Sequence, residues 1–198
     1  MPKHKGKGKG KPEPEPEPYP EPNPDVYIGY MHHPIIKSYY RELTKNSLEN
    51  AVDTLWANIL PLYFPLTQGY GIEQQMHPMP GVSKESADIA IRYIQNGQSK
   101  KICLIEDKRV KYEASSTKWA AAVEQLTGYM LAVRAYNPNL EETLHGIVTI
   151  GHYSRFYILC NNETVLRDRP DTDGNIYHFK DDEVAIDTIL CSIFRETQ

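Results

Sequence analysis

The chain has 198 residues and carries 22 basic against 26 acidic side chains, a formal net charge of −4. That length allows one domain with a proper core, and the mildly acidic balance excludes an indiscriminate coat for nucleic acid while leaving room for a local basic patch. No apolar run approaches the roughly 18 residues of a membrane span, and no apolar stretch of a secretory signal follows the opening lysines. An intracellular protein, cytoplasmic or nuclear and not secreted, is therefore expected.

Residues 1–25 stand apart in composition. "MPKHKGKGKGK" alternates Lys with Gly, and "PEPEPEPYPEPNPD" alternates Pro with acid. Neither pattern can bury apolar surface, so a disordered tail is expected, its second half extended as polyproline II at about 3.1 Å per residue. The five lysines of the tail cancel its four glutamates and Asp25, which leaves the net acidity in residues 26–198, read as a single domain. The basic stretch suits a nuclear address or a phosphate-binding arm, and equally a solvated tail with no task.

Residues 37–64 predict a first helix, with Leu48, Ala51, Val52, Leu55 and Ile59 at helical spacing and Pro61 and Pro65 to end it. "YGIEQQMHP" is a short strand candidate. "SADIAIRYIQNG" alternates apolar and polar residues and stops at Asn96-Gly97, a hairpin signal, so "KKICLIEDKR" is the returning strand. "TKWAAAVEQLTGYMLAVR" is an amphipathic helix whose face is Trp119, Ala122, Val123, Leu126, Met130 and Val133. "LHGIVTIGHYSRFYILC" predicts two strands with Gly151 near the turn, and "NIYHF" a short edge strand. "DDEVAIDTILCSIFRE" closes the chain as a helix with acids in its first turn, where the helix dipole favours them. Cys103, Cys160 and Cys191 are odd in number, widely spaced and mostly inside apolar runs, and are read as reduced core residues. His77, His145, His152 and His178 lack metal-ligand spacing and are read as structural or surface residues.

The returning strand ends oddly. After Ile102, Cys103, Leu104 and Ile105 come Glu106, Asp107, Lys108 and Arg109. Side chains two apart share a face of a strand, so Glu106 and Lys108 point the same way, continuing the face of Ile102 and Leu104. With the Asn96-Gly97 turn roughly in register, Asp88 lies across from Glu106 at one end of the hairpin. Two carboxylates that close repel, and one pKa rises unless a cation lies between them. A hard divalent ion, Mg²⁺ or Mn²⁺, suits two carboxylates, a backbone carbonyl and water. Asp107 points away from Glu106, so its carbonyl, not its side chain, is expected near the metal. A charged Glu-x-Lys at a strand end is ordinarily just solvated; Asp88 across the hairpin and the following helix with Gln125 and Tyr129 shift the balance towards a site.

The run "SADIAIRYI…KKICLIEDKR…EQLTGYM" resembles the PD-(D/E)XK nuclease superfamily, over about residues 47 to 160. The resemblance extends to small fungal nuclease-like domains and to the nuclease domains of restriction subunits, through "GIVTIGHYSRFY". It implies an α/β fold of the restriction-endonuclease-like class, a central mixed sheet flanked by helices in the core order αβββαβ, here with an extra C-terminal strand and helix. It also implies that Asp88 and Glu106 ligate the metal with the Asp107 carbonyl, and that Lys108 orients or polarises the attacking water. Glu49 in "SLENAV" matches the acid that many members place on the first helix, and Gln125 and Tyr129 match a Gln-x-x-x-Tyr of several branches. Ala87 stands where the family pattern has Pro.

The expected activity is a Mg²⁺- or Mn²⁺-dependent hydrolysis of phosphodiester bonds in nucleic acid, with DNA favoured over RNA. Lys101, Arg109, Lys111, Lys118 and Tyr129 are candidate contacts to the nucleic acid, through phosphates or by stacking; a charged loop with no such task looks the same. A homodimer is compatible with this reading. The alternative is an inactive nuclease-fold module that binds nucleic acid or a protein partner.

Overall fold

The computed structural model describes residues 29–76, 86–136 and 142–198. The tail 1–25 and His77 lie outside them. The described residues form a mixed α/β structure in which seven strands make one sheet, ordered β1-β2-β3-β4-β5-β6 with β7 also on β5. The strands are β1 (Tyr70–Met76), β2 (Ala87–Gln95), β3 (Gln98–Lys108), β4 (Leu144–Ile150), β5 (Tyr153–Leu159), β6 (Arg167–Asp168) and β7 (Tyr177–His178). The helices are α1 (Pro34–Glu42), α2 (Asn50–Tyr63), α3 (Ser116–Tyr136) and α4 (Glu183–Glu196). No helix among the described residues is long and apolar enough to cross a membrane.

The β2–β3 hairpin turns at Asn96 and Gly97, both with positive φ (52° and 75°), the backbone that a two-residue turn between twisted strands requires. β3 and β4 run parallel, Cys103 to Lys108 alongside His145 to Ile150. Parallel neighbours need a crossover, and α3 provides it. The sheet is covered on both faces, which is why Ile102 to Ile105 of β3 form a continuous apolar run and β4 is buried throughout. On one face Val52, Leu55, Trp56 and Ile59 of α2 and Ile186 and Leu190 of α4 pack on Ile89, Ile91, Ile105, Ile147 and Phe156. On the other, Ala122, Leu126, Met130 and Val133 of α3 pack on Ala90, Leu104, Val148 and Leu159. Each large apolar side chain so buried contributes about 1.5–3 kcal/mol. α3 comes so close to β4 that a Cβ on Gly146 would lie 2.9 Å from the Met130 sulfur and 3.0 Å from Leu126 Cδ2.

Four expectations need correction. The helix expected over 37–64 is two helices. Ser47 Oγ donates to the Glu42 carbonyl (2.6 Å) and accepts from the Thr44 amide (2.8 Å), so local side-chain bonds replace the helical ladder between Glu42 and Asn50. Leu48, in that break, is 63% exposed and not part of the core face. Pro61 lies inside the last turns of α2, which runs on to Tyr63. Finally, Ile102 does not continue the face of Leu104. The register passes from Ile91↔Cys103 to Arg92↔Lys101, which leaves Ile102 as the extra residue of a bulge. Beyond the bulge Leu104, Glu106 and Lys108 keep their alternation.

Gly151 joins β4 to β5 with φ +60°, and its amide donates to the Lys108 carbonyl (2.9 Å). A Cβ there would lie 2.7 Å from Val110 Cα and collide with the Glu113 carboxylate. Gly151→Ala is therefore expected to cost about 2–4 kcal/mol, from left-handed strain plus the clash, as measured by chemical denaturation.

Candidate active site

The hairpin brings Asp88 and Glu106 to the same end of β2 and β3, one step beyond the Ile89–Ile105 pair. Antiparallel register does this work, because residues opposite one another share a face. Asp88 is 9%, Glu106 1% and Asp107 0% exposed. The Asp107 amide donates to Asp88 Oδ2 (2.7 Å). Lys108 Nζ donates to Glu106 Oε1, to the Asp107 carbonyl (3.0 Å) and to Glu49 Oε1 (3.2 Å). Glu49 is the residue immediately before α2, not part of the helix interior, because the break at 43–49 lets it reach over the strand end. Arg109 holds that break in place, donating to the carbonyls of Ser47 (3.0 Å) and Asn46 (3.4 Å).

Asp107 faces the other side of the sheet from Glu106, as the strand period requires. Its carboxyl is fully buried and receives no hydrogen bond from any N–H or hydroxyl among the described residues. Its neighbour there is the carboxyl of Asp53, on α2. Asp53 escaped the sequence reading; its signal is an acid one turn after Glu49 and three residues before the buried Trp56.

Three carboxyls, Glu49, Asp88 and Glu106, thus act on the ammonium of Lys108, while Asp53 and Asp107 lie on the other face of the sheet end. Burial pushes the Glu106 carboxyl up to about 8, with Asp88 adding to the rise and Lys108 opposing it. Burial likewise raises Asp88, against the Asp107 amide and Lys108. Asp53 is pushed up to about 7 by burial and then by Asp88. Asp107 is held well above the ordinary value by burial, then by Asp53 and Asp88. For Lys108 burial works against the charged form, but Glu106, Glu49 and Asp88 outweigh it and hold the amine above the usual lysine value. A carboxyl whose folded pKa exceeds its unfolded value of about 4 binds protons more tightly when folded. The stability this contributes is complete below about pH 4 and is lost as pH rises through 7 to 8, the values for Asp53 and Glu106. The metal-free protein is expected to melt several degrees lower at pH 8.5 than at pH 5, and added Mg²⁺ to narrow that gap, in thermal scans with EDTA or Mg²⁺.

The donor set is compatible with a hard divalent ion. Glu106 Oε2 is buried and has no hydrogen-bond partner among the described residues, and Asp88 Oδ1 is not used in the bond to Asp107. Among the described residues no three His, Cys, Asp or Glu side chains converge as a ready metal cage. Two carboxylates completed by a carbonyl and waters is the arrangement Mg²⁺ commonly takes.

Several candidate residues do not join this group. Gln125 is exposed on α3 and donates to Tyr129 Oη (3.3 Å); no hydrogen bond among the described residues ties it to Asp88, Glu106 or Lys108. Tyr129 is 5% exposed and packed in the core, so its ring is not open for stacking. Lys101 is on the same strand seven residues before Lys108, roughly 23 Å away at the strand rise. Lys111 and Lys118 are exposed just beyond the strand end, their ammoniums 4.8 and 5.1 Å from the centroid of the Tyr112 ring. His145 is buried against Arg169 (3.0 Å) and pushed down to about 4 by burial and that guanidinium, a neutral core residue. His152 and His178 pair with Glu113 (2.7 Å) and Asp181 (3.0 Å). All three cysteines are free, with Cys103 buried and the other two half-buried.

No protein-family model, no curated protein and no solved structure matches this chain.

Proposed function

We propose that this chain is a divalent-metal-dependent nuclease of the restriction-endonuclease-like class, which hydrolyses phosphodiester bonds with DNA as the favoured substrate. The observation that carries the proposal is the convergence of Asp88, Glu106 and Lys108 at one end of the hairpin, with Glu49 beside them. Asp88 and Glu106 would hold Mg²⁺ or Mn²⁺ together with the Asp107 carbonyl. Such an ion supplies a nucleophilic water near neutral pH and neutralises charge on the phosphoryl oxygens. Lys108 stays cationic and adds a fixed positive charge next to the reacting phosphate. Its raised pKa makes it a poor proton donor or acceptor at neutral pH, so its role is electrostatic and orienting. Lys111 and Lys118, outside the strand end, are placed to hold the nucleic-acid backbone.

One observation favours the alternative of a non-cleaving binding module: the Lys108 ammonium is already held by Glu106 and Glu49 without any metal. Incubation of mixed single- and double-stranded DNA and RNA with Mg²⁺, Mn²⁺ or EDTA separates the two. Cleavage with metal and none with EDTA is expected. Binding without cleavage under every metal would establish the module instead.

A further inference from the structure

We infer that Arg109 is a positioning residue: its guanidinium clamps the chain before α2 and so keeps the Glu49 carboxylate on Lys108, and it does not hold a phosphate. The inference rests on the nuclease reading for its effect on cleavage, but not for its effect on the start of α2. Arg109 Nε donates to the Ser47 carbonyl (3.0 Å) and Nη2 to the Asn46 carbonyl (3.4 Å). One edge of the planar guanidinium is thus given to two successive carbonyls, a fork that a lysine ammonium could not match. Two residues beyond Ser47, Glu49 Oε1 accepts from Lys108 Nζ (3.2 Å). Lys108 and Arg109 are neighbours in the chain, so the end of β3 grips residues 46–49 at two points, by main-chain carbonyls and by a carboxylate.

Little else fixes that segment. Among the described residues, the other hydrogen bonds of residues 44–49 are local, such as Ser47 Oγ to the Glu42 carbonyl (2.6 Å) and the Val52 amide to the Glu49 carbonyl (2.9 Å). Leu43 before the segment and Val52 after it are buried, but Leu48 within it is exposed and supplies no apolar anchor. Glu49 stands at the N-cap of α2, yet its side chain makes no capping bond. A half-buried carboxylate on an untied segment would turn to water, because a partly exposed ion pair gains little over hydration. Arg109 removes that freedom. Nη1 keeps donors to spare, so a phosphate contact is the rival reading, and salt dependence separates the two.

The test uses the full chain with Arg109→Ala, Glu49→Gln and the double variant. Three quantities are read: hydrogen exchange of the Ala51 and Val52 amides, the salt dependence of nucleic-acid binding in EDTA, and kcat and KM on cleaved nucleic acid. The two amides bond the Leu48 and Glu49 carbonyls and report the start of α2 whether or not the protein cleaves. Arg109→Ala should speed their exchange about fivefold or more. Binding should keep the wild-type salt slope, whereas loss of one phosphate contact would flatten it by about 0.7 to 0.9. kcat should fall about tenfold at nearly unchanged KM, the scale for slight misplacement of a group in the site. Added to Glu49→Gln, Arg109→Ala should lower kcat no more than about twofold further, because both changes act through the same carboxylate. Should Arg109→Ala fail to fold, Arg109→Met, which keeps the aliphatic stem, takes its place. Wild-type exchange in the variant, a flattened salt slope, or kcat losses that multiply in the double variant would overturn the inference. If wild type cleaves nothing, the nuclease reading falls, and exchange of the two amides decides on Arg109.

Discussion

Replacing Lys108 by alanine is expected to lower cleavage by a factor on the order of 10² or more, the scale for removing one positioned charge from a transition state. The protein should stay folded. Lys108 is half-buried and bonded to Glu106, Glu49 and the Asp107 carbonyl, and removing one partner of a buried ion pair usually costs several kcal/mol. Here the cost is limited, because Glu106, pushed up to about 8, is already largely protonated at neutral pH and is not left as a bare buried charge. Loss of the cation has a second consequence. Without Lys108 the Glu106 pKa rises further, so Mg²⁺ must displace a more tightly held proton and binds less well at pH 7. The variant should recover Mg²⁺ affinity at pH 9 yet remain slow, whereas a variant impaired only in metal binding would recover activity as well. A Lys108→Ala protein that cleaves as fast as wild type would end the assigned mechanism.

How far these residues were legible in the sequence follows from the range of the interactions. The hairpin could be read because Asn96-Gly97 makes a local demand on φ. The turn alone did not fix the facing of Asp88 and Glu106: pairing carried unbroken from Gln95↔Gln98 would set Asp88 opposite Ile105, and the extra residue at Ile102 is what brings Glu106 opposite Asp88. α3 was legible from its apolar spacing alone. What escaped depended on non-local or competing local bonds. The break between α1 and α2 contains neither Pro nor Gly; it comes from Ser47 bonding the Glu42 carbonyl and Thr44 amide. The bulge at Ile102 leaves no mark in an apolar run, and β6, two residues long, exists only because β5 offers it an edge. Asp53 was invisible as a site residue because its buried neighbour, Asp107, is 54 positions away and lies on the face opposite Glu106. Gln125 is a different case. Its i, i+4 relation to Tyr129 holds on the helix, but helical spacing does not say how far that pair lies from a strand end.

Glu106→Gln should separate stability from function more sharply than any other change. Glutamine has the shape of the protonated glutamic acid, which the folded protein favours up to about pH 8. It cannot ionise beside Asp88 as pH rises, so the like-charge repulsion that builds in wild type above about pH 8 is absent. The metal-free variant is therefore expected to be at least as stable as wild type at pH 7 and more stable at pH 8.5, with a flatter dependence of melting temperature on pH. The neutral amide is a much weaker ligand for a hard cation, and Lys108 loses the carboxylate that aims it. Mg²⁺ binding, read by calorimetry, and cleavage should fall together, cleavage by a factor on the order of 10² to 10³. Asp107→Asn, which keeps the main-chain bonds to Asp88 and Lys108, should retain Mg²⁺ binding. If Glu106→Gln binds Mg²⁺ as tightly as wild type, the ion is not held where Asp88 and Glu106 meet; if it is also less stable at pH 8.5, Glu106 is ionised in the folded protein and Lys108 governs its charge more strongly than burial does.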